Sequence, residues 1–227
     1  SKETFSSLVE DIANLNGNFR VRLSSINPME IDDHLIELIA HHEKICPHLH
    51  IPLQSGDTEV LSKMRRNYNA KQYEHIVRRA SEKISPLGLG ADVIVGFPDE
   101  SEVSFEHTRK LIEELPFSYL HVFSYSPRSG TEAHNFKNNI KNITKKERNL
   151  ILNDLVKEKA QQFYKSFIGK KVTVLVEERK QADGVLKGHS EHYIPVSIDA
   201  EGFLQNQLVS VLITETRKNE LVGCLES

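Results

Sequence analysis

Hydrophobic and polar residues follow two alternating patterns along the first half of the chain. Phe5, Leu8, Ile12 and Leu15 recur at helical spacing, which predicts an amphipathic helix with these side chains towards the core. Further helical stripes lie in 31–39, 73–84 and 105–115, and β-prone runs lie in 19–26, 48–53, 91–97 and 119–125. Strands that alternate with helices at this spacing predict right-handed βαβ crossovers and a parallel sheet.

The pattern changes after residue 130. Thr144 and Glu147 have the spacing of a capping box, which predicts a helix from Thr144 to about Phe167. Short β-prone segments follow in 171–177, 184–189, 193–198, 208–214 and 221–225, at the spacing of a small barrel. The predicted fold class is α/β: a partial parallel (βα) barrel in residues 1–168, which includes the linking helix, and a five-stranded antiparallel β-barrel in residues 169–227.

Composition narrows the class of protein. A chain of 227 residues with 38% hydrophobic residues and a formal net charge of -3 is typical of folded domains and not of disordered chains. No apolar run is long enough for a membrane span, so we expect no membrane partner. Cys46 and Cys224 lie too far apart for a CxxC pair, and reduced thiols predict a cytoplasmic protein.

Polar residues and glycines follow each predicted strand. Ligands bind at the carboxyl ends of parallel strands, where loops can vary without disturbing the core, so these loops predict a small-molecule site. Ordinary turn composition is the alternative. The candidate residues are Ser24, Ser25, 54–56, 96–100 and 125–131.

Four polar residues lie within the predicted strands themselves. His48 and His50 alternate and share a face, with His121 on a neighbouring strand. We expect them to line a polar interior, because no acidic cluster at ligand spacing accompanies them as a metal site would require. Asp92 interrupts an apolar strand, where a charge needs a ligand or a basic partner.

Charge is unevenly distributed. Residues 137–171 contain ten Lys and Arg against three Asp and Glu, although the whole chain is slightly acidic. A basic helix that leads into a barrel with Lys187, His189, His192 and Tyr193 is typical of a nucleic-acid-binding protein. The alternative is a solvated helix face with a stabilising appendix.

Six runs together resemble one known family, the radical S-adenosylmethionine (SAM) methylthiotransferases. The runs in the first unit are 22–26 (RLSSI), 48–56 (HLHIPLQSG), 64–68 (MRRNY), 92–98 (DVIVGFP) and 120–131 (LHVFSYSPRSGT). The sixth, 188–196 (GHSEHYIPV), resembles the family's RNA-binding TRAM domain. Residues 24–26 and 120–123 most resemble the MtaB subgroup, which methylthiolates N6-threonylcarbamoyladenosine beside the anticodon of tRNA.

The resemblance implies reductive cleavage of SAM at a 4Fe-4S cluster, with an electron donor and a second cluster. The family's CxxxCxxC motif is absent, and two cysteines cannot replace it. We therefore expect a C-terminal fragment, inactive alone, without catalytic residues or metal ligands of its own. Asp99 stands where the family usually has glycine. The alternatives are a tRNA-binding module, an enzyme for isopentenyladenosine tRNA, or one for a ribosomal protein.

The resemblance also assigns residues to ligands. It places Gln54 and Ser55 on the SAM ribose or methionyl part and Arg66 on its carboxylate, although a surface role for Arg66 is the simpler reading of composition. The remaining SAM residues are a polar contact, Asp92, and an adenine wall, Val95, Gly96 and Tyr125. The predicted RNA-binding residues are Lys145, Lys146, Lys170, Lys171, Lys187, His189, His192 and Tyr193.

Overall fold

The structure is a computed structural model that describes residues 4–137, 139–179, 185–199 and 205–225. Its first unit is a parallel sheet with helices, and its second is a closed β-barrel. Within the described ranges, no helix combines the length and apolar character needed to cross a membrane.

The first unit alternates helices and strands as the sequence predicts. The sheet has the order β1–β2–β3, and both pairings are parallel. The predicted parallel sheet is therefore confirmed. The elements are α1 (Phe5–Ala13), α2 (Asp33–His41), β1 (His48–His50), α3 (Thr58–Lys63), α4 (Ala70–Lys83), β2 (Gly88–Val95), α5 (Glu102–Glu114), β3 (Tyr119–Ser124) and α6 (Asn142–Lys165), with 3-10 helices at Pro28–Glu30 and Glu132–Asn135.

The first predicted strand, 19–26, is not a regular strand. Its only bridge in the described part of the chain joins Val21 to Ile45, and further along Ile26 N donates to His50 O at 3.0 Å. Between these contacts the run has no strand partner in the part of the chain that the structure describes, and β1 begins only at His48. Ser25 then leaves the extended conformation with a φ of 58°.

The core lies on one face of the sheet. Leu89, Ala91, Val93 and Val95 alternate along β2, are fully buried and pack against the helices. Tyr73 of α4 reaches the same core and donates its hydroxyl to Ile51 O at 2.7 Å. Each buried aliphatic side chain contributes about 1.5–3 kcal/mol through the hydrophobic effect, so the helices are held on this face. The other face carries polar residues.

Helix α1 forms where predicted, but the predicted core face was wrong. Leu8 and Leu15 are 55% and 59% exposed, whereas Val9 and Ala13 are buried. The small side chain of Ser6 is also buried, and its hydroxyl donates to Asp32 Oδ1 at 2.6 Å. This bond fixes α1 against the start of α2 with its less bulky face inward.

Helix α6 begins earlier than predicted, and the predicted capping box is wrong. Its N-cap is Lys141, which makes no side-chain capping bond, so Thr144 lies inside the first turn. The buried face of the helix contains Lys145, Arg148, Leu152 and Val156.

The second unit is a five-stranded closed barrel, as predicted. Its strands are β4 (Lys171–Arg179), β5 (Leu186–Ser190), β6 (Pro195–Asp199), β7 (Leu208–Arg217) and β8 (Glu220–Leu225), in the order β4–β5–β6–β8–β7. Four pairings are antiparallel, but β6 and β8 are parallel, so the predicted antiparallel barrel is in fact mixed. β8 is the second strand of the β7–β8 hairpin. It lies beside β6 and runs in the same direction. Gly184, the predicted start of β5, lies outside the described residues.

Candidate functional site at the strand ends

The carboxyl ends of the strands meet at one edge of the sheet. Gln54, which follows β1, forms an isolated bridge with Val93, and its backbone amide donates to Asp92 O at 2.8 Å. Tyr125 follows β3 and donates its amide to Val95 O at 2.9 Å. We call Gln54, Gly96 and Tyr125, with the loops that carry them, the strand-end edge.

A buried ion pair holds the Gly96 loop. Glu100 Oε2 accepts from Gly96 N and from Arg148 Nη1, both at 2.6 Å, and Arg148 Nη2 lies 3.0 Å from Glu102. Burial raises the pKa of Glu100, although the Gly96 amide and the Arg148 guanidinium oppose this effect. Glu100 Oε1 is buried without a hydrogen-bond partner within the described ranges.

Lys145 lies directly over Gly96. A Cβ at Gly96 would overlap Lys145 Cγ and lie 2.9 Å from its Cδ, and Gly96 has a φ of 73°. Both the space and the backbone conformation therefore require glycine here. Lys145 Nζ donates to Tyr125 O at 3.2 Å and lies 5.4 Å from the centre of the Tyr125 ring. Burial lowers the pKa of Lys145.

Aromatic rings complete the strand-end edge. Phe97 packs edge-on against Tyr125 and Phe136, with ring centres 5.2 and 6.2 Å apart. The Tyr125 hydroxyl donates to Ala133 O at 2.9 Å and so fixes the following loop. The edge therefore offers an apolar wall, a buried cation and backbone polar groups.

The structure brings some predicted SAM residues to this edge and separates others. Gln54, Gly96 and Tyr125 are there. The Ser55 hydroxyl lies 3.3 Å from Thr108 Oγ1 and accepts from Asp57 N, so it stabilises the loop between β1 and α3.

Arg66 and Val95 are placed differently from the other predicted SAM residues. Arg66 is exposed beyond α3. Val95 is fully buried in the core, so its side chain cannot form an adenine wall. By strand alternation, Ile94 is the residue that shares the open face with Asp92.

The open face carries the predicted histidines. His50 Nε2 lies 3.2 Å from Asp92 Oδ1, so the partner of Asp92 is a histidine, and His50 lies beside the His121 ring. His48 Nε2 lies 2.9 Å from the Tyr119 hydroxyl, and burial chiefly lowers the pKa of His48 to about 3. His48 is thus neutral at physiological pH.

The two expected cofactors fit differently. Among the described residues, no three His, Cys, Asp or Glu side chains come together as metal ligands, and the two cysteines of the sequence are too few for an iron–sulfur cluster. SAM fits the strand-end edge better, because Glu100 Oε1 has no partner and Lys145 uses one of its three donors there.

The predicted RNA-binding residues fall into two groups. Lys146, Lys170 and Lys171 are exposed, and Lys187 is partly exposed beside Glu220, at 3.3 Å. His189 stacks on Tyr193 with ring centres 4.8 Å apart. The Arg22 guanidinium covers the Tyr193 ring at 3.9 Å from its centre, a contact that the sequence did not suggest.

Two predicted RNA-binding residues are buried instead. Lys145 belongs to the strand-end edge. His192 is 6% exposed and packs 4.8 Å from the Phe167 ring centre, between the barrel and the sheet. Its Nδ1 lies 3.4 Å from Pro47 O, and a Cβ at Gly88 would overlap its carbonyl oxygen. His192 therefore joins the two units.

The positive charge of residues 137–171 does not form one surface. Lys145 and Arg148 are buried, and Lys159 donates to Glu113 O at 2.6 Å. The solvent side of α6 carries lysines and acids in equal number, namely Lys146, Lys157, Lys165, Glu147, Asp154 and Glu158. The predicted basic helix is therefore basic only near its ends.

The barrel contacts the opposite end of the sheet from the strand-end edge. Tyr193 touches His48 and Tyr119, the first residues of β1 and β3, with ring centres 5.2 and 6.3 Å away. Arg20 adds a hydrogen bond to Thr173 O at 2.9 Å. A strand rises about 3.3 Å per residue, so the length of β2 separates the two surfaces by roughly 23 Å.

The comparison with known families bears on this edge. Residues 3–112 match the model of the radical SAM superfamily, a stretch that contains β1 and β2 with Gln54 and Gly96 at their ends. This segment, about half of the chain, is therefore similar to the radical SAM superfamily.

Curated relatives extend the similarity across both units. The chain is 40% identical over 205 residues to tRNA-2-methylthio-N(6)-dimethylallyladenosine synthase of Geobacillus kaustophilus, covering 90% of this chain and 39% of that protein. It is 41% identical over 224 residues to threonylcarbamoyladenosine tRNA methylthiotransferase MtaB of Rickettsia prowazekii, covering 98% and 49%. For MtaB of Aquifex aeolicus the identity is 39% over 207 residues, covering 91% and 48%. The chain thus spans less than half the length of each relative.

Proposed function

We propose that this chain forms the SAM-binding and RNA-binding parts of a radical SAM tRNA methylthiotransferase. The observation that carries the proposal is the identity of about 40% with such enzymes, which extends over 90% or more of this chain and includes both units. The placement of Gln54, Gly96 and Tyr125 at one edge supports a single ligand site there.

Bound SAM would supply the radical that activates the C2–H bond of the target adenine. The chain's own residues hold it. The partly exposed Tyr125 offers an apolar wall for the adenine, the buried Phe97 supports it from behind, and the Gly96 turn keeps the loop close. The Glu100–Arg148 pair fixes that loop, so the site is formed before the ligand binds.

The cluster ligands must come from outside these 227 residues, because the chain has only two cysteines. An electron donor is then a further required partner. We also propose that the protein works in the cytoplasm, where tRNA is available and thiols stay reduced.

The substrate that we favour is N6-threonylcarbamoyladenosine in tRNA. Residues 24–26 and 120–123 resemble the MtaB subgroup. N6-dimethylallyladenosine is the second candidate, because the relative of that name has practically the same identity to this chain as the MtaB relatives. The barrel would hold the tRNA through Lys170, Lys187, His189 and Tyr193, at the far end of the sheet from the SAM site.

An activity assay tests this proposal. The polypeptide as its gene encodes it, with iron–sulfur clusters reconstituted, is incubated with SAM, a reductant and tRNA that carries either nucleoside. We expect 2-methylthio-N6-threonylcarbamoyladenosine in the digest and no product from dimethylallyladenosine tRNA. Product only from the second tRNA would reverse the substrate assignment, and binding of tRNA without any product would support a binding module.

A further inference from the structure

Lys145 is a buried cation with few hydrogen-bond acceptors around it. It is 4% exposed, and its one hydrogen bond within the described ranges goes to the neutral carbonyl of Tyr125 at 3.2 Å. An ammonium group has three donors and is costly to bury unless acceptors surround it. Two of its donors thus remain available at the strand-end edge.

The nearest carboxylate does not serve as a partner for Lys145. Glu100 Oε2 already accepts from Gly96 N and Arg148 Nη1, and Arg148 supplies its counter-charge. Within the described ranges, no carboxylate lies within ion-pair distance of Lys145, although the charge of Glu100 still favours its protonated form. Arg148 contacts both Glu100 and Glu102, so Lys145 is the cation at this edge that lacks a direct ion pair in the described part of the chain.

The position of the ammonium is fixed. The Lys145 stem packs on Gly96, and its backbone lies one helical turn before Arg148, which the ion pair with Glu100 anchors. A donor held in this way loses little entropy when a ligand binds. This arrangement is typical of a binding group and differs from that of Lys146, the next residue, which is exposed.

We propose that Lys145 is a SAM-binding residue whose ammonium donates to the adenosine part of the ligand. The proposal rests on the proposed function. Adenine ring nitrogens and ribose oxygens are acceptors, and the neighbours of the ammonium are the Gly96 turn and the Tyr125 ring, at 5.4 Å. The methionyl part of SAM has a net positive charge, from a sulfonium and an ammonium against one carboxylate, so a contact of Lys145 with that carboxylate is the competing arrangement that the test must separate.

The test compares Lys145→Met with Lys157→Met, which removes the same charge from an exposed position of the same helix. Affinities for SAM and for 5′-deoxyadenosine are measured by calorimetry on the polypeptide as its gene encodes it, with clusters reconstituted. A hydrogen bond from a charged donor predicts that Lys145→Met weakens both affinities about tenfold. We expect Lys157→Met to change neither.

Three outcomes would overturn the proposal. Unchanged affinity of Lys145→Met for both ligands removes the contact. If Lys145→Met weakens the affinity for SAM but not that for 5′-deoxyadenosine, Lys145 contacts the methionyl carboxylate and not the adenosine part. Failure of the wild-type protein to bind SAM contradicts the proposed function itself and not only the role of Lys145. Lys145→Gln, which keeps a polar stem, repeats the measurement if the methionine variant does not fold.

Discussion

Arg148 Nη1 lies 2.6 Å from Glu100 Oε2, and both side chains are almost fully buried. The pair joins the middle of the chain to the long helix α6 across 48 positions of sequence. Because Glu100 also accepts from Gly96 N, one carboxylate connects the loop after β2 to the helix that leads to the barrel.

Arg148→Met removes one partner of this pair and leaves Glu100 buried without compensation. We expect a loss of about 3–5 kcal/mol in the free energy of unfolding, the range for breaking a buried ion pair. Urea unfolding followed by circular dichroism measures it. Arg109→Met, at the partly exposed pair with Glu106, is the control, with an expected loss of at most about 1 kcal/mol. Equal losses in the two variants would contradict the structural role of Arg148.

Gly96→Ala puts a methyl group where the Lys145 stem lies. The clash and the positive φ together predict a loss of about 1–3 kcal/mol in stability. Thermal unfolding of Gly96→Ala, Lys145→Ala and the double variant separates the two causes. The double variant should lose less stability than the sum of the single losses. Without the Lys145 stem, the alanine at position 96 causes backbone strain but no clash. Additive losses would show that the stem does not occupy this space.

The sequence predicted the strands better than the burial of side chains. Runs of β-prone residues located β1 to β3, because the strands of a covered parallel sheet are rich in such residues. Helical spacing gave the wrong core face for α1, where apolar residues lie on both sides and Ser6 contacts Asp32. The run 19–26 has strand composition, but composition cannot supply a pairing partner.

The sequence predicted in outline which residues meet at the strand-end edge. The rule that ligands bind at the carboxyl ends of parallel strands placed Gln54, Gly96 and Tyr125 together, and their contact with SAM stays a prediction. The sequence already contained the information that Val95 points into the core. Side chains alternate between the two faces of a strand, so Ile94 shares the open face with Asp92 and Val95 lies on the opposite face. Lys145 and Arg148 read as surface charges because their acceptors, Tyr125 and Glu100, are distant in sequence.

Stability should depend on the protonation of His192. Burial lowers the pKa of His192 from 6.5 to about 4, and the charges of Arg20 and Lys170 add to this effect. The unfolded chain takes up the proton first as the pH falls. The contribution of His192 is therefore complete above pH 6.5 and is lost towards pH 4, at a total of about 3 kcal/mol.

The measurement compares urea unfolding at pH 7 and pH 4 in the wild type and His192→Gln. We expect the glutamine variant to lose about 3 kcal/mol less than the wild type between these pH values. The exposed His75→Gln should retain the wild-type dependence. An unchanged pH dependence in His192→Gln would contradict a neutral, buried His192.

Binding of tRNA should depend on the exposed lysines in the first turns of α6 and in the segment between α6 and β4. Lys146→Gln and Lys170→Gln are each expected to reduce the slope of log affinity against log salt concentration by about 1, as loss of one phosphate contact predicts. Lys157→Gln is the control, because Lys157 lies at mid-helix 2.9 Å from Asp154. Filter binding at several salt concentrations measures the slopes. Equal slopes for all three variants and the wild type would contradict this interface.

Mass spectrometry of tRNA nucleosides from a strain that lacks the gene tests the proposed methylthiolation of tRNA. We expect 2-methylthio-N6-threonylcarbamoyladenosine to disappear, unmodified N6-threonylcarbamoyladenosine to accumulate, and the wild-type gene to restore the product. A deletion strain whose 2-methylthio nucleosides all remain at wild-type levels would show that the protein does not have this activity.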